Sequence, residues 1–407
     1  MVEGPRQPFA GRIDVPGDKS LSHRSVILSA MAAGTSTIEG LATGRDVQSS
    51  LAVVQALGVA IDGWRVTSPG IDGWRVPPEP LDCGNSGTTM RLLAGALSGS
   101  RIAAELVGDE SLMRRPMRRL VPPLQALGAT IELSGEGTAP MRVVGNPTPT
   151  AADVEIPIAS AQVRTAFSLG AVRADRESTI TSPPGYRDHT ERWLESMGLG
   201  RRESATTFRI YPGAVPAFDY VIPGDPSSAS FLWAAAAIVP GAEVTTQGIS
   251  LNPGRVGFLQ ILEQMGAIVT GEVTGAVLGD PVGTITVRGN GLHGTEVSGA
   301  LAAASLDELP LVAVVGSYGE GITRVVDAAE LKSKESNRIA TTVDMVNALG
   351  GGAERLEDGF EVLGIGWLEG GTVAAGGDHR IAMAGAVAAT GATGPVTITG
   401  AESVGVS

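Results

Sequence analysis

Between Pro16 and Arg24 the chain sets Lys19, Arg24 and the hydroxyls of Ser20 and Ser22 at the start of an apolar run, Val26 to Ala33. This is anion-binding chemistry. A helix start exposes unpaired N–H groups that attract phosphate or carboxylate, and two whole positive charges reinforce them. Gly17 supplies a turn, and Ser20 is placed to cap the helix. A small, highly anionic substrate is the expectation; an ordinary capped helix with solvated charges is the competing reading.

The design recurs. Asn85-Ser86-Gly87-Thr88-Thr89-Met90-Arg91 opens a helix through Leu97, and Gly87 lets the backbone approach a ligand closely. Arg114-Arg115-Pro116-Met117-Arg118-Arg119 gathers four guanidinium groups near one loop, where one or two can grip a carboxylate bidentately while the others face solvent. Ser160-Ala161-Gln162-Val163-Arg164-Thr165 and Tyr186-Arg187-Asp188-His189-Thr190-Glu191 put hydroxyl, amide and guanidinium groups at helix entries. Each cluster alone reads equally well as a capped helix start or a solvated basic face. Their repetition is what aims several helix N-termini at anions.

In the second half acids join the cations. Asp307-Glu308-Leu309-Pro310 sets two carboxylates before an apolar helix through Val315, where the helix dipole favours the ionised form of a base; a capping carboxylate is the alternative. Lys332-Ser333-Lys334-Glu335-Ser336-Asn337-Arg338 interleaves Lys334, Glu335 and Arg338, so Glu335 can hold a proton while its neighbours bind anions. Charge pairing along a helix face is the competing account. Gly377-Asp378-His379-Arg380 opens a small-residue helix and offers Arg380 as a carboxylate ligand, whereas Pro223-Gly224-Asp225-Pro226-Ser227-Ser228 reads as a hinge and helix cap feeding Ala229 to Ile238.

The elements that position these groups follow a rhythm. An apolar residue, a glycine and a short β-prone run recur at Leu57-Gly58, Leu127-Gly128, Met197-Gly198, Met265-Gly266 and Leu349-Gly350, spaced by roughly 70 to 85 residues. Each period predicts a small α/β unit, with a last one around the helix after Arg380, so about six units would build two domains of three. The joints Pro16-Gly17 and Pro223-Gly224 predict an inserted domain, 17–223, and a discontinuous one, 1–16 plus 224–407. The hexapeptide Ile61-Asp62-Gly63-Trp64-Arg65-Val66 returns as Ile71-Asp72-Gly73-Trp74-Arg75-Val76, read as duplicated hairpin material at an edge. Gly289-Asn290-Gly291-Leu292-His293-Gly294 fits a dinucleotide pattern, but Thr295-Glu296-Val297 looks like a strand where a phosphate-binding helix should begin, so a hairpin is expected. Walker A and nucleophile-elbow motifs are absent.

Composition sets limits. At 407 residues with 43% hydrophobic content, two cores are affordable. A formal charge of −13 argues against nucleic acid or an anionic membrane as partner, so any anion site is a local basic pocket. Cys83 is the single cysteine, which excludes an internal disulfide, and no secretory leader opens the sequence; a cytoplasmic monomer is expected. Apolar stretches such as 231–240 fall short of the ~20 residues of a membrane span. His23, His189, His293 and His379 lie far apart without a second ligand at metal spacing, so no metal is expected.

Taken in order, seven of these clusters, from about Gly11 onward, resemble the EPSP synthase family of enolpyruvyl transferases. The resemblance implies two inverse, barrel-like α/β domains of three repeated βαβαββ-type units, with the active site in the interdomain cleft and no cofactor. It implies transfer of the enolpyruvyl group of phosphoenolpyruvate to the 5-hydroxyl of shikimate 3-phosphate. By motif position, Lys19 touches both substrates; Ser20, Arg24, Ser160, Ala161 and Gln162 hold shikimate 3-phosphate, with Gln162 also near phosphoenolpyruvate and Arg187 a further phosphate ligand. Gly87 and Arg115 bind phosphoenolpyruvate, and Arg338 and Arg380 clamp its carboxylate. Asp307 and Lys334 match residues around the 5-hydroxyl, and Glu335 matches the proton donor to the methylene carbon. Asp307, Glu335 and Lys19 are thus the catalytic candidates, and glyphosate is the inhibitor expected to enter beside Gly87. The sequence departs from the family pattern with Arg164 for lysine and Leu92 for proline, and it ends at Ser407, short of an aromatic-proline pair, with Val406 where some relatives carry a basic residue; a natural end and a truncation are both open readings. The sister transferase acting on UDP-N-acetylglucosamine typically has a reactive cysteine in the loop matching Gly108 to Pro116, where this sequence has none. A catalytically silent metabolite-binding homologue is the remaining alternative.

Overall fold

Each of the five apolar-glycine steps ends a helix. In the computed structural model, which describes residues 1–4 and 7–406, helices Arg45–Ala56, Val121–Ala126, His189–Ser196, Gly257–Gln264 and Arg338–Ala348 close on Leu57, Leu127, Met197, Met265 and Leu349. The following glycines have φ between 72° and 101°, a left-handed conformation that costs an L-residue roughly 1–2 kcal/mol. The chain then enters an edge strand: Ala60–Asp62, Thr130–Ser134, Gly200–Arg202, Ile268–Val277 or Gly352–Arg355.

Each step is the second half of a βαβαββ unit. In the unit running from Leu81–Asp82 to Thr138–Val144, the first strand pairs in parallel with Ala103–Val107, Thr138–Val144 joins antiparallel, and Thr130–Ser134 takes the outer edge. The units that begin with Asp153–Glu155 and Glu296–Val297 repeat this order. Two others take their first strand from elsewhere: Ala10–Ile13 pairs with Glu243–Ser250, and Asp219–Val221 pairs with Ala33–Glu39. The sixth contains a parallel pair, Gly371–Ala374 and Val396–Thr399, around helix His379–Ala388. All these sheets are open.

The chain divides into two compact units. One comprises Met1–Pro16, Pro223–Gly275 and Pro281–Val406; the other comprises Gly17–Ile222 with Ala276–Asp280, the tip of a hairpin. Asp280 in that tip is buried against His189 Nδ1 at 3.0 Å and Trp193 Nε1 at 3.1 Å. Each unit has its own core, around Trp233, Phe258 and Phe360 in the first and around Ile27, Leu93 and Phe167 in the second. Each such buried Leu, Ile or Phe contributes roughly 1.5–3 kcal/mol.

One helix per repeat runs through these cores: Lys19–Met31, Gly87–Ser98, Ala161–Ala171, Pro226–Ile238, Leu309–Ser317 and His379–Ala388. A buried helix start must satisfy its orphan N–H groups. Asp18, Ser86, Ser160, Asp225 and Asp378 do so with side-chain oxygens. Most of the polar motifs found in the sequence lie at these six N-termini.

Two local expectations change. The first hexapeptide copy forms the predicted hairpin, Ala60–Asp62 with Arg65–Pro69, and leaves Trp64 54% exposed. The second is a short 3-10 turn, Ile71–Gly73, because Trp74 folds inward to 4% exposure and its Nε1–H donates to the Ala30 carbonyl at 2.9 Å. Residues 289–295 connect two sheets instead of forming a hairpin, since Glu296–Val297 pairs in parallel with Arg324 and Val325 of the next sheet.

Candidate active site

In unit Gly17–Ile222, Asp18 caps the first buried helix, its Oδ1 accepting the Leu21 N–H at 2.8 Å; Ser20 lies inside the first turn and does not cap. Gly17 is required for space rather than for a turn, because a Cβ there would lie 1.9 Å from the Gly40 carbonyl oxygen. Lys19 Nζ pairs with Asp46 Oδ2 at 3.2 Å. Arg24 is buried, and its Nε, Nη1 and Nη2 donate to Thr190 Oγ1, the Ser20 carbonyl and Thr165 Oγ1 at 2.9, 2.9 and 3.2 Å. These bonds tie the Lys19 helix to the starts of the Ala161 and His189 helices. Arg187 precedes the latter by two residues and is half-buried.

The second buried helix begins at Gly87, where an added Cβ would lie 2.6 Å from Arg91 Nη1 and 3.5 Å from Arg115 Nη1. Arg91 Nη1 donates to Gln162 Oε1 at 2.8 Å, and Gln162 Nε2 donates to Thr88 Oγ1 at 3.1 Å, so the Gly87 helix orients Gln162. Arg115 Nη2 donates to Asn85 Oδ1 at 2.6 Å. Its neighbours turn outward: Arg114 meets exposed Glu110, and Arg118 reaches the Glu136 carbonyl. Ser160 Oγ caps the third helix at the Val163 N–H, placing Ala161 and Gln162 in its first turn. Beneath these groups His23 is fully buried, with Nδ1 2.8 Å from Ser50 Oγ. Burial, reinforced by Lys19 and Arg24, holds its pKa well below the ordinary imidazole value, so the ring is neutral at pH 7. Arg164, where the family pattern has lysine, is committed to Glu191 Oε1 at 2.5 Å and Ser182 Oγ at 2.8 Å.

In the other unit the chemistry gathers on Arg338, which is 1% exposed. Its Nε donates to Asp378 Oδ2 at 2.8 Å, Nη1 to Asp307 Oδ1 at 3.2 Å and Nη2 to Glu335 Oε2 at 2.6 Å. Burial alone would lower the guanidinium pKa, but Glu335, Asp378 and Asp307 outweigh it and raise the value. Lys334 Nζ lies 3.7 Å from Asp307 Oδ1. Lys334 and Glu335 stand ahead of helix Arg338–Ala348, which Asn337 caps, so they share no helix face. Glu308 likewise makes no side-chain capping bond to helix Leu309–Ser317. The side chains of Asp307 and Glu335 retain 19% and 18% exposure. Arg380 begins its own helix, with its N–H on Asp378 Oδ1 at 2.9 Å and its Nη1 3.6 Å from Glu308 Oε1.

Each predicted residue therefore falls in one of the two units. Lys19, Ser20, Arg24, Gly87, Arg115, Ser160, Ala161, Gln162 and Arg187 fall in one unit, and Asp307, Lys334, Glu335, Arg338 and Arg380 in the other. Sequence reasoning placed Arg91, Glu308 and Asp378 in its clusters without giving them a supporting role, and it missed Asp46. Asp378 had a signal, a Gly-Asp pair before a helix. Asp46 had none, because its role depends on which helices pack together. Among the described residues, no cluster of three or more His, Cys, Asp or Glu can hold a metal, and no helix is long and apolar enough to cross a membrane.

Comparison with known proteins identifies the family. The family model described as EPSP synthase (3-phosphoshikimate 1-carboxyvinyltransferase) matches residues 4–407. A 3-phosphoshikimate 1-carboxyvinyltransferase of Herpetosiphon aurantiacus is 45% identical over 405 residues, covering 98% of this chain and 94% of the relative. One from Halorhodospira halophila is 43% identical, covering 97% and 90%. A solved EPSP synthase of Acinetobacter baumannii superposes with a TM-score of 0.87 at 35% identity, covering 100% of this chain and 94% of that one. The chain therefore belongs to the EPSP synthase (3-phosphoshikimate 1-carboxyvinyltransferase) family.

Proposed function

We propose that the chain transfers the enolpyruvyl group of phosphoenolpyruvate to the 5-hydroxyl of shikimate 3-phosphate and releases phosphate, with the residue roles that follow. The observation that carries the assignment of roles is the Asp307–Arg338–Glu335 cluster: two partly accessible carboxylates held by one buried guanidinium. The reaction needs two groups that exchange protons at different atoms. Addition removes a proton from the hydroxyl as its oxygen attacks C2 of phosphoenolpyruvate and delivers one to C3; elimination takes the C3 proton back as phosphate leaves. Asp307, next to the Lys334 ammonium, is the hydroxyl base, and Glu335 is the acid that serves C3. Lys19 shares in proton traffic and contacts both reactants.

Both reactants are multiply anionic and repel each other, so cationic positioning makes up much of the catalysis. Arg24, Ser20, Ser160, Ala161, Gln162 and Arg187 take shikimate 3-phosphate. Arg115 and the Gly87 backbone take phosphoenolpyruvate, whose carboxylate falls to Arg338 and Arg380. The Arg338 nitrogens already rest on carboxylates, so a ligand there must exchange with one of them. Glyphosate is the expected competitor beside Gly87. A cytoplasmic monomer fits a single buried thiol and two units that each close their own core. Burial also pushes the Cys83 thiol well above its ordinary pKa, which disfavours a nucleophilic cysteine of the nucleotide-sugar type.

The test is phosphate release from phosphoenolpyruvate with shikimate 3-phosphate and, separately, with UDP-N-acetylglucosamine, with the enolpyruvyl product followed by mass. Product with the first acceptor alone is expected. Product with the second alone would transfer the chain to the sister activity.

A further inference from the structure

We propose that Glu308 is a positioning residue, which sets the Arg380 guanidinium to receive the carboxylate of phosphoenolpyruvate; this rests on the ligand assigned to Arg380 above. Glu308 stands at the start of helix Leu309–Ser317 but makes no side-chain capping bond, so helix formation does not account for it. It is 1% exposed. A carboxylate buried to that degree has to be held by cations or donors, and its Oε1 meets both kinds: the Ser227 hydroxyl at 2.5 Å and Arg380 Nη1 at 3.6 Å.

The surroundings fix the direction of these bonds. Arg255 Nη2 donates to Ser227 Oγ at 3.0 Å and to Asp225 Oδ1 at 2.7 Å, and Arg255, Asp225 and Ser227 are all buried. With a guanidinium N–H on its oxygen, the Ser227 hydroxyl keeps its own proton to donate to Glu308 Oε1. Charge thus alternates along Asp225, Arg255, Glu308 and Arg380, with Ser227 as the link. In sequence Ser227 reads only as part of a cap; in the structure it joins two buried ion pairs.

Arg380 is held from one side. Among the described residues its guanidinium makes its polar contacts through Nη1, to Glu308 and to the Ser227 carbonyl at 3.5 Å, while the group lies 5.7 Å over the Phe231 ring. Nε and Nη2 remain as the pair of donors that a carboxylate engages bidentately. Arg338 differs, since carboxylates engage all three of its nitrogens. The adjacent acids Asp307 and Glu308 thereby serve different arginines, one at Arg338 and the other behind Arg380.

The experiment is steady-state kinetics of the full chain with each substrate varied against saturating partner, for the native protein, Glu308→Gln and Glu308→Asp, with thermal unfolding of each. Glu308→Gln, which keeps the shape and removes the charge, is expected to raise KM for phosphoenolpyruvate about 10- to 100-fold, to change kcat by less than about 5-fold, and to leave KM for shikimate 3-phosphate within about 2-fold. Glu308→Asp is expected to fall between native and Glu308→Gln in KM for phosphoenolpyruvate alone. If Glu308→Gln does not fold, a selective rise of about 3-fold or more in Glu308→Asp supports the proposal. An unchanged KM for phosphoenolpyruvate, parallel rises for both substrates, or an Asp variant no better than the Gln variant would each overturn it. No product from the native chain would remove the functional reading and this proposal together, whereas native turnover with an unaltered variant removes the proposal alone.

Discussion

Arg24 in one unit and Arg338 in the other are both buried guanidinium groups with every side-chain nitrogen engaged, yet the hydrogen bonds of those nitrogens differ in kind. Arg24 rests on two threonine hydroxyls and a carbonyl, Arg338 on three carboxylates. Neutral oxygens orient a cation without cancelling its charge, which suits a group that must attract an anion. Carboxylates cancel the charge and are themselves held in place, which suits a group that must present acids and bases in fixed geometry. On the roles proposed above, the cluster around Lys19, Arg24, Arg115 and Gln162 mainly binds, whereas the cluster around Arg338 holds the acids that move protons beside the arginines that receive a carboxylate.

That division is broken most directly through the acids. Asp307→Ala and Glu335→Gln are each expected to lower kcat by about 10²- to 10⁴-fold while changing the substrate KM values little, as loss of a general base or acid does. Rapid-quench measurement of phosphate release in a single turnover checks this; unaltered turnover in either variant would remove that residue from the mechanism. Next in size is stability. Arg338→Met leaves Asp378, Asp307 and Glu335 without their common cation, with Asp378 wholly buried, and should cost about 3–5 kcal/mol of unfolding free energy. Arg24→Met removes hydrogen bonds to neutral groups and strands no carboxylate at Thr190, Thr165 or Ser20, so its cost should be about 1–3 kcal/mol, with KM for shikimate 3-phosphate rising more than kcat falls. Urea unfolding of the two variants compares them, and equal losses would erase the distinction.

Much of this was legible before the structure because it rests on local chemistry. Positive φ after a helix requires glycine, so Gly58, Gly128, Gly198, Gly266 and Gly350 marked the repeats in the sequence. Polar clusters before apolar runs marked helix starts because buried helices need caps. What stayed hidden depends on packing at a distance. The identical hexapeptides fold as a hairpin and as a 3-10 turn because the Ala30 carbonyl meets Trp74 and not Trp64. Asp46, Arg91 and Glu308 gain their partners from residues 27, 71 and 72 positions away, separations at which no motif is visible. Ser20 looked like the cap by residue type, but the carboxylate of Asp18 reaches the Leu21 N–H first.

The binding cluster can be sharpened at its glycine. In Gly87→Ala the new methyl would meet Arg91 Nη1 at 2.6 Å, so Arg91 must shift from its bond to Gln162. Inhibition by glyphosate, measured against phosphoenolpyruvate, is expected to weaken by at least about 10-fold, with a smaller rise in KM for phosphoenolpyruvate. An unchanged inhibition constant would show that the inhibitor does not sit against Gly87.

The smallest effect concerns pH. Burial, with Lys19 and Arg24 adding to it, depresses the His23 pKa in the folded chain, so below the ordinary value of 6.5 the unfolded chain binds a proton that the folded chain does not. Stability supplied by neutral His23 is therefore present above about pH 6.5 and is lost as pH falls from there toward its depressed folded value. Thermal unfolding between pH 7.5 and 5.5 should show a falling Tm whose slope is shallower in His23→Gln, which has no proton to take up. Phosphate-bearing ligands should oppose the trend, because an anion beside Lys19 and Arg24 eases protonation of the imidazole behind them. An identical slope in the variant would mean that His23 titrates alike in both states and that the cations of this cluster do not act on the ring.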